Sequence, residues 1–256
     1  MRESRASPDS AGTGDALALE WTNTIVQGVL TGGLYAMFAA GLSLIFGVMR
    51  LVNIAHGDFI VLAAYLALVV TETLGLDPLV SLIVVVPLMA AIGYALQRGL
   101  LNRTLGDDLL PPLLVTFGLS VIIQNGLLLQ FTADSRRLQA GALEVASWQI
   151  GQGLSVGVLP LLQFAAAVVA IAGVLLAVRA NFDPSIGPAR LIFGFEAVII
   201  GGLGNLWGTL AGGVVLGVAQ AIGAKLDPGW QLLAGHLAFL LVLAVKPEGL
   251  FPRIRQ

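Results

Sequence analysis

The sequence contains no cysteine and very little charge. Its 256 residues include 13 Lys and Arg and 15 Asp and Glu, so 11% of the chain is charged while 57% is hydrophobic. A soluble domain carries about 25% charged residues. The missing cysteines exclude disulfides, thiolate metal sites and a cysteine nucleophile, and there is no basic stripe that would indicate nucleic-acid binding. With too few charges to cover a water-facing surface, the chain is predicted to meet lipid.

Signatures of covalent chemistry are lacking as well. The sequence has no Ser-His-Asp elbow, P-loop, HExxH or paired-carboxylate motif, and its only histidines are His56 and His236. A metal site needs more converging ligands than these. We therefore expect no metal, no cofactor and no enzymatic activity, and any ATP hydrolysis is expected on separate subunits.

Long charge-free stretches make up most of the chain. A membrane-spanning helix needs about 20 mainly apolar residues, and six stretches are long enough or nearly so. A further apolar run from Phe59 continues to Leu76 across Glu72. We predict an all-α, polytopic membrane protein over residues 21–252, with about seven or eight transmembrane helices, some broken or re-entrant. The six stretches are 21–49, 79–97, 109–133, 145–178, 197–224 and 229–245.

The two ends of the chain differ from this core. Residues 1–20 are polar, contain Pro, Ser and Gly, and lack the apolar centre of a signal peptide. They are predicted to form a disordered N-terminal tail. Residues 253–256 form a short C-terminal tail.

Basic residues predict the sidedness of the spans. Lysine and arginine in short loops mark the cytoplasmic side, and the loop at 71–78 has two acids and no base. That loop is predicted to face outward, whereas the turn at Arg50, the loop after the third span and the C-terminus face inward. The basic residues after the third span and at the C-terminus are Arg98, Arg103, Lys246, Arg253 and Arg255.

If successive loops alternate between the two sides of the membrane, the spans predicted between residues 133 and 190 are about one crossing too few to place the C-terminus inside. Three explanations remain open from the sequence alone. Residues 151–179 could form a re-entrant hairpin broken at Pro160, residues 191–204 could be a half-helix that does not cross, or the arginine count could mislead at this point.

Two polar or glycine-rich clusters interrupt the apolar runs. The first, "RLVNIAHGDF" at 50–59, contains Asn53, His56, Gly57 and Asp58. Non-helical backbone at membrane depth occurs only where it is buried in protein or lines a wet cavity. The cluster is interpreted either as a broken helix lining a substrate path or as a packed histidine beside helix-capping Asn and Asp side chains.

The second cluster, "VIIGGLGNLWGTLAGG" at 198–213, contains two kinds of glycine. Gly201, Gly202 and Gly204 are predicted to form a turn that belongs to the substrate path. The remaining glycines are spaced for close helix packing. These are Gly208, Gly212 and Gly213.

Single polar residues within spans give the other candidates. Glu196 has apolar neighbours and could line the path or act as a gate, or it could sit at the interface near Arg190. Gln124 is also placed on the path, and together with Asn125 it is a candidate for an interhelical hydrogen bond.

Three stretches carry a resemblance to a known family. They are "GLYAMFAAGLSLIFGVMRLVNIAHGDFIVLAAYLAL", "FEAVIIGGLGNLWGTLAGGVVLGVAQ" and "KPEGLF". They resemble the permeases of bacterial branched-chain amino acid ABC transporters of the LivH/LivM type, and the match covers roughly residues 22–160 and 164–252.

The resemblance implies a multi-pass permease subunit in the bacterial inner membrane. Such a subunit pairs with a second permease, recruits two cytoplasmic ATPase subunits and receives substrate from a periplasmic or lipoprotein binding protein. Leucine, isoleucine and valine are the implied substrates, with urea or short amides as the alternative. Two other readings stay open, a channel or secondary transporter working alone and a structural or inactive membrane subunit.

One family feature is not found in the sequence. The resemblance leads us to expect a cytoplasmic ATPase-docking loop of the type Arg-x-x-Ala-x-Asp-x-x-x-Ala-x-x-x-Gly before residues 164–179, but the chain runs from "SVGVLPLL" directly into "QFAAAVV". Compared with the family pattern, about 40 residues are missing near 160–165, enough for most of a helix and the loop. We therefore expect the chain to be unable to couple to an ATPase in the normal way, as an internally deleted, uncoupled remnant would be.

Overall fold

The chain folds as a bundle of helices with one small hairpin. The computed structural model describes residues 10–49, 52–104, 106, 108, 110–139, 146–150, 154–158, 160–162 and 182–251. Six helices in this part are long and apolar enough to cross a membrane, which confirms the predicted all-α, polytopic fold. The described part of the chain has seven α-helices in all: α1 (Ser10–Met49), α2 (His56–Leu74), α3 (Leu82–Gly99), α4 (Leu110–Phe131), α5 (Gly187–Gly201), α6 (Leu206–Leu226) and α7 (Gln231–Val245).

Two 3₁₀ turns and two strands complete the described elements. The turns are Leu101–Arg103 and Pro228–Trp230, and the antiparallel strands are β1 (Ser147–Ile150) and β2 (Leu154–Gly157). The start of the charge-free stretch at 145–178 is therefore a hairpin, not a membrane-spanning helix.

Glycines bring α1 and α6 into backbone contact. A Cβ atom added at Gly32 would lie 2.5 Å from Val214 Cα, and one added at Gly217 would lie 2.3 Å from Gly28 O. Residue numbers rise along α1 as they fall along α6, so the two helices are antiparallel. Small residues four apart permit such contact in membranes. The axis of the bundle is therefore a glycine-lined helix pair.

Helix α1 begins earlier than predicted. Residues 1–9 lie outside the described part of the chain, but from Ser10 onward the predicted disordered tail is helical, so that prediction is wrong for residues 10–20. The segment "DALALE" has high helix propensity. The Glu20 carboxylate also accepts a hydrogen bond from Lys225 Nζ at 3.0 Å, which ties this end of α1 to the end of α6.

A two-residue bridge determines how the chain returns to the bundle after α4. Arg136 N donates to Phe182 O and Phe182 N donates to Arg136 O, both at 2.8 Å. The Phe182 ring packs edge-on against Tyr65, whose ring also contacts Phe131 at the end of α4. Arg136 and Phe182 therefore lie side by side at the same end of the bundle.

The next segment supplies the crossing that simple alternation lacked. Helix α5 has 15 residues, about 22 Å of rise, which is less than the roughly 30 Å of a bilayer core. Non-helical residues 182–186 precede it, so this stretch crosses as an extended segment followed by a half-helix. The alternative in which residues 191–204 form a half-helix that does not cross is therefore wrong, while the re-entrant alternative rests mainly on residues 163–181, outside the described part of the chain.

The turn between α5 and α6 is held by the segment after α7. Gly202 and Gly204 have φ values of 104° and 77°, a region that glycine adopts without strain. Leu250 N donates to Ile200 O at 2.8 Å, and Phe251 N donates to Gly201 O at 3.1 Å. We call the segment 246–251 and the turn that it binds the C-terminal clasp.

Asn205 links both halves of the C-terminal clasp. Its side chain accepts from Gly208 N at 3.1 Å, capping α6, and donates to Phe251 O at 3.0 Å. Replacing Asn205 by Ala is expected to destabilise the protein by about 1–2 kcal/mol. Thermal unfolding in detergent would measure this, with Asn125→Ala as the control because Asn125 is exposed and bonds only to Val121 O of its own helix. Equal unfolding temperatures for the two variants would contradict the prediction.

Candidate functional site

Helix α2 begins deep inside the bundle. His56 Nε2 lies 2.9 Å from Phe38 O, and α1 continues from Phe38 to Met49, about 16 Å further along the axis. On the other side, Asp58 contacts Ser120, which lies about 15 Å along α4 from Leu110. The start of α2 is therefore about halfway into a core roughly 30 Å thick.

Asn53 shapes the turn that leads into α2. Its side-chain oxygen accepts a hydrogen bond from Ala55 N at 3.0 Å, and its backbone oxygen accepts one from His56 N at 3.2 Å. Ile54 N donates to Thr116 Oγ1 at 3.3 Å, which fixes the turn to α4. The predicted helix-capping role of Asn53 and Asp58 is wrong, because the N-cap residue is Ala55 and no side chain caps α2. Asn53 forms an Asx-turn just before the helix instead.

Asp58 is the centre of a buried polar cluster. Ser120 Oγ donates to Asp58 Oδ2 at 2.5 Å, and Gln124 Nε2 donates to Ser120 Oγ at 2.9 Å. Asp58 is 1% exposed, and its second oxygen, Oδ1, has no hydrogen-bond partner among the residues that the structure describes. A buried carboxylate that is half satisfied is costly, and such groups inside membrane proteins mark functional sites.

The N-termini of two helices meet beside this carboxylate. A Cβ atom added at Gly57 would lie 2.0 Å from Gly187 O, and one added at Gly187 would lie 2.1 Å from Asp58 Oδ1. Both glycines are in the first turn of their helices, α2 and α5. Helix N-termini carry partial positive charge, so Asp58 lies between two positive ends.

Glu196 forms a separate pair further along α5. It is 5% exposed, and its Oε1 is hydrogen-bonded to Nδ1 of His236 on α7. In the described part of the chain, Oε2 of Glu196 has no hydrogen-bond partner. Contact with His236 replaces the predicted alternative in which Glu196 sits near Arg190, and the role of Glu196 on the path remains a prediction.

Loss of His236 is expected to weaken the bundle because it leaves both oxygens of Glu196 without a partner. We expect His236→Leu to destabilise the protein by about 1–3 kcal/mol. This free-energy cost is smaller than that of breaking a fully buried pair, because the imidazole is 44% exposed. Glu196→Gln in the His236→Leu background should recover part of this loss. Thermal unfolding of the two single variants and the double variant measures the coupling, and strictly additive effects would rule it out.

An apolar cavity lies between the end of α1 and the end of α5. Its volume is about 170 Å³, and no charged or polar side chain lines it. It opens beside the turn that precedes α2. The lining residues are Leu42, Phe46, Val52, Phe195, Val198, Ile199 and Leu203.

The structure separates the predicted path residues into three places. Asn53, His56, Gly57 and Asp58 lie together at the start of α2, and Gln124 joins them through Ser120. Glu196 pairs with His236, and the glycines at 201, 202 and 204 belong to the C-terminal clasp. Gln124 and Asn125 both bond within their own helix, to Ser120 Oγ and to Val121 O respectively, so the prediction of an interhelical hydrogen bond is wrong for these two side chains.

Two details of the second glycine cluster follow from packing. Gly201 is the last residue of α5 rather than part of the turn, and a Cβ there would lie 2.1 Å from Gly208 O. Gly212 meets Ala197 and Gly213 meets Gly32 at similar distances. The predicted packing role of Gly208, Gly212 and Gly213 is confirmed.

Several residues of the site were not predicted. Ser120 and Arg190 are single polar residues without a motif around them. Tyr35 Oη donates a hydrogen bond to Gln220 Oε1, which joins two helices through residues that are 185 positions apart in the sequence. The described residues contain no group of three or more His, Asp or Glu side chains that could hold a metal ion. Six apolar helices enclosing a broken helix and a buried polar cluster define a polytopic membrane protein of the transporter class.

Comparison with known proteins shows which proteins the chain is similar to. Residues 24–148 match the family model described as branched-chain amino acid transport system, permease component. The chain is 26% identical to the high-affinity branched-chain amino acid transport system permease protein BraD of Pseudomonas aeruginosa, over 90% of this chain and 95% of BraD. It is 23% identical to the high-affinity branched-chain amino acid transport system permease proteins LivH of Salmonella typhimurium and Escherichia coli K12, over 92% of this chain and 96% of each LivH protein. The chain is thus similar to permease proteins of branched-chain amino acid transport systems, which is the resemblance that its motifs predicted.

These relatives are longer than the chain over the matched region. The alignment with BraD has 298 positions but includes only 90% of the 256 residues here, about 230, so about 68 positions are occupied by BraD alone. No solved structure matches the chain.

Proposed function

We propose that the chain is the membrane-spanning permease subunit of an ATP-binding cassette importer for leucine, isoleucine and valine in the bacterial inner membrane. The observation that carries this proposal is the meeting of two helix N-termini at buried Asp58, about halfway through the bundle. Transporters place substrate sites at such broken helices. The similarity to BraD and LivH supports the substrate class.

The surroundings of the break suit an amino acid with an aliphatic side chain. A free amino acid needs partners for its ammonium and carboxylate groups, and a branched side chain needs an apolar pocket. The cluster around Asp58 offers partners for the charged groups, and the cavity of about 170 Å³ beside Val52 offers the apolar pocket. The turn before α2 connects the two regions, so the path is proposed to run past residues 52–58.

The proposed transport cycle is alternating access driven from outside the chain. The permease performs no covalent chemistry, and two cytoplasmic ATPase subunits supply the energy. A second permease subunit completes the path, and a periplasmic or lipoprotein binding protein delivers the substrate.

Reconstitution would test this function. The chain would be placed in liposomes with the second permease, ATPase subunits and binding protein encoded by neighbouring genes. ATP-dependent accumulation of radiolabelled leucine, isoleucine and valine is expected, with no accumulation of urea or acetamide. Liposomes lacking only this chain are the control, and uptake that is selective for urea or acetamide would replace the proposed substrate class.

A second candidate is an uncoupled permease without transport activity. The roughly 68 positions present only in BraD support it, because an ATPase-docking loop is the feature that the sequence lacks near residues 160–165. Co-purification distinguishes the candidates. A stable stoichiometric complex of the chain with the ATPase, together with ATP-dependent uptake, would rule out the uncoupled form.

A further inference from the structure

Arg190 is a partly buried cation that forms no salt bridge within the described residues. It lies in the first turn of α5, its guanidinium carbon is 6.0 Å from the centre of the Phe38 ring, and its Nε is buried without a hydrogen-bond acceptor. Across the described ranges, no carboxylate lies within salt-bridge distance of it. A lone arginine inside a membrane bundle is expensive to keep, which points to an anion that binds there.

The position of Arg190 adds to its positive charge. Arg190 follows Gly187 by three residues, so the two share one face of α5. The backbone N–H groups at the start of α5 and the helix dipole attract anions to this end. A guanidinium beside a helix N-terminus forms charge-assisted hydrogen bonds with a carboxylate.

Asp58 provides the opposite charge at the same helix end. Its Oδ1 has no hydrogen-bond partner, the residue is 1% exposed, and this oxygen points at Gly187. Asp58 and Arg190 form no ion pair with each other. One end of α5 therefore presents a cation and an anion, each with an unsatisfied buried atom.

We propose that this helix end recognises the charged part of a zwitterionic substrate. Arg190 and the α5 N-terminus bind the carboxylate, and Asp58 Oδ1 binds the ammonium group. The inference rests on the proposed amino acid transport and assigns residues to it. In this structure the contact between Gly57 and Gly187 covers Asp58, so the ammonium group reaches Asp58 when the starts of α2 and α5 separate.

Binding of leucine and two analogues that each lack one charge tests the assignment. The full chain would be embedded in lipid nanodiscs, and the dissociation constants of leucine, 4-methylpentanoate and isopentylamine would be measured. Arg190→Gln is expected to weaken the binding of leucine and 4-methylpentanoate by about tenfold or more, equivalent to about 1.4 kcal/mol, and to leave the binding of isopentylamine unchanged. Asp58→Asn is expected to weaken the binding of leucine and isopentylamine and to leave the binding of 4-methylpentanoate unchanged.

Matched controls separate recognition from folding. Arg98→Gln and Glu72→Gln remove exposed charges of the same types and should leave all three constants unchanged. Equal losses for all ligands in both site variants, unchanged leucine binding, or no binding by the wild-type chain would overturn the assignment. Leucine uptake by the reconstituted importer is measured separately, so a functioning transporter with unaffected site variants would overturn only this inference.

Discussion

Replacing Gly217 by leucine is expected to abolish assembly of the bundle. A Cβ atom at this position would lie 2.3 Å from Gly28 O and 2.4 Å from Gly32 N, so even a methyl group forces the backbones of α1 and α6 apart. A cost above about 3 kcal/mol is expected, because overpacking of a tight interface commonly costs 1–3 kcal/mol and here the obstacle is backbone. That is a large share of the 5–15 kcal/mol that stabilises a typical protein.

The chain contains matched controls for this substitution. Gly93 in α3 and Gly126 in α4 are helical glycines with no atom within 4 Å of an added Cβ. Gly93→Leu and Gly126→Leu should yield folded protein with an unfolding temperature close to that of the wild type. Size-exclusion chromatography in detergent measures the folded fraction, and a monodisperse Gly217→Leu variant would show that the two helices do not pack as described.

Gly57→Ala is expected to reduce leucine uptake by more than tenfold while most of the protein still folds. The added methyl group would lie 2.0 Å from Gly187 O, so the starts of α2 and α5 must separate by more than an ångström. That separation moves Asp58 away from Gly187 and alters the place where the substrate path is proposed to close. A small displacement at a positioned polar site can lower a rate by a hundredfold.

Two measurements on the same preparation isolate this effect. The initial rate of leucine uptake by the reconstituted importer reports function, and thermal unfolding reports folding. Gly118→Ala in α4 is the matched control, since nothing lies within 4 Å of its added Cβ. Wild-type uptake by Gly57→Ala would show that the contact between the two helix ends has no part in transport.

The turn at the start of α2 could be predicted because its signal is local. Asn53, His56 and Asp58 stand together in an apolar sequence, and polar groups in that setting require a buried or wet environment. Their partners could not be predicted. Ser120 contacts Asp58 across 62 positions, and one serine within an apolar helix looks the same whether it faces lipid or a carboxylate.

Arg190 and Glu196 show the same limit in a different way. Both were visible as charges close to an apolar run, but their roles depend on the direction of α5. Because α5 starts halfway into the bundle, Arg190 lies at a deep helix end beside Phe38, whereas Glu196 faces His236 on α7. The start of the half-helix depends on the bridge between Arg136 and Phe182, which no pattern in the sequence indicates.

The bridge between Arg136 and Phe182 divides the protein into modules. Since the chain brings Arg136 and Phe182 side by side, the first four helices and the last three are joined at a fixed point, whatever the length of chain between these two residues. Changes of length there can accumulate over evolution without changing how the two groups of helices meet.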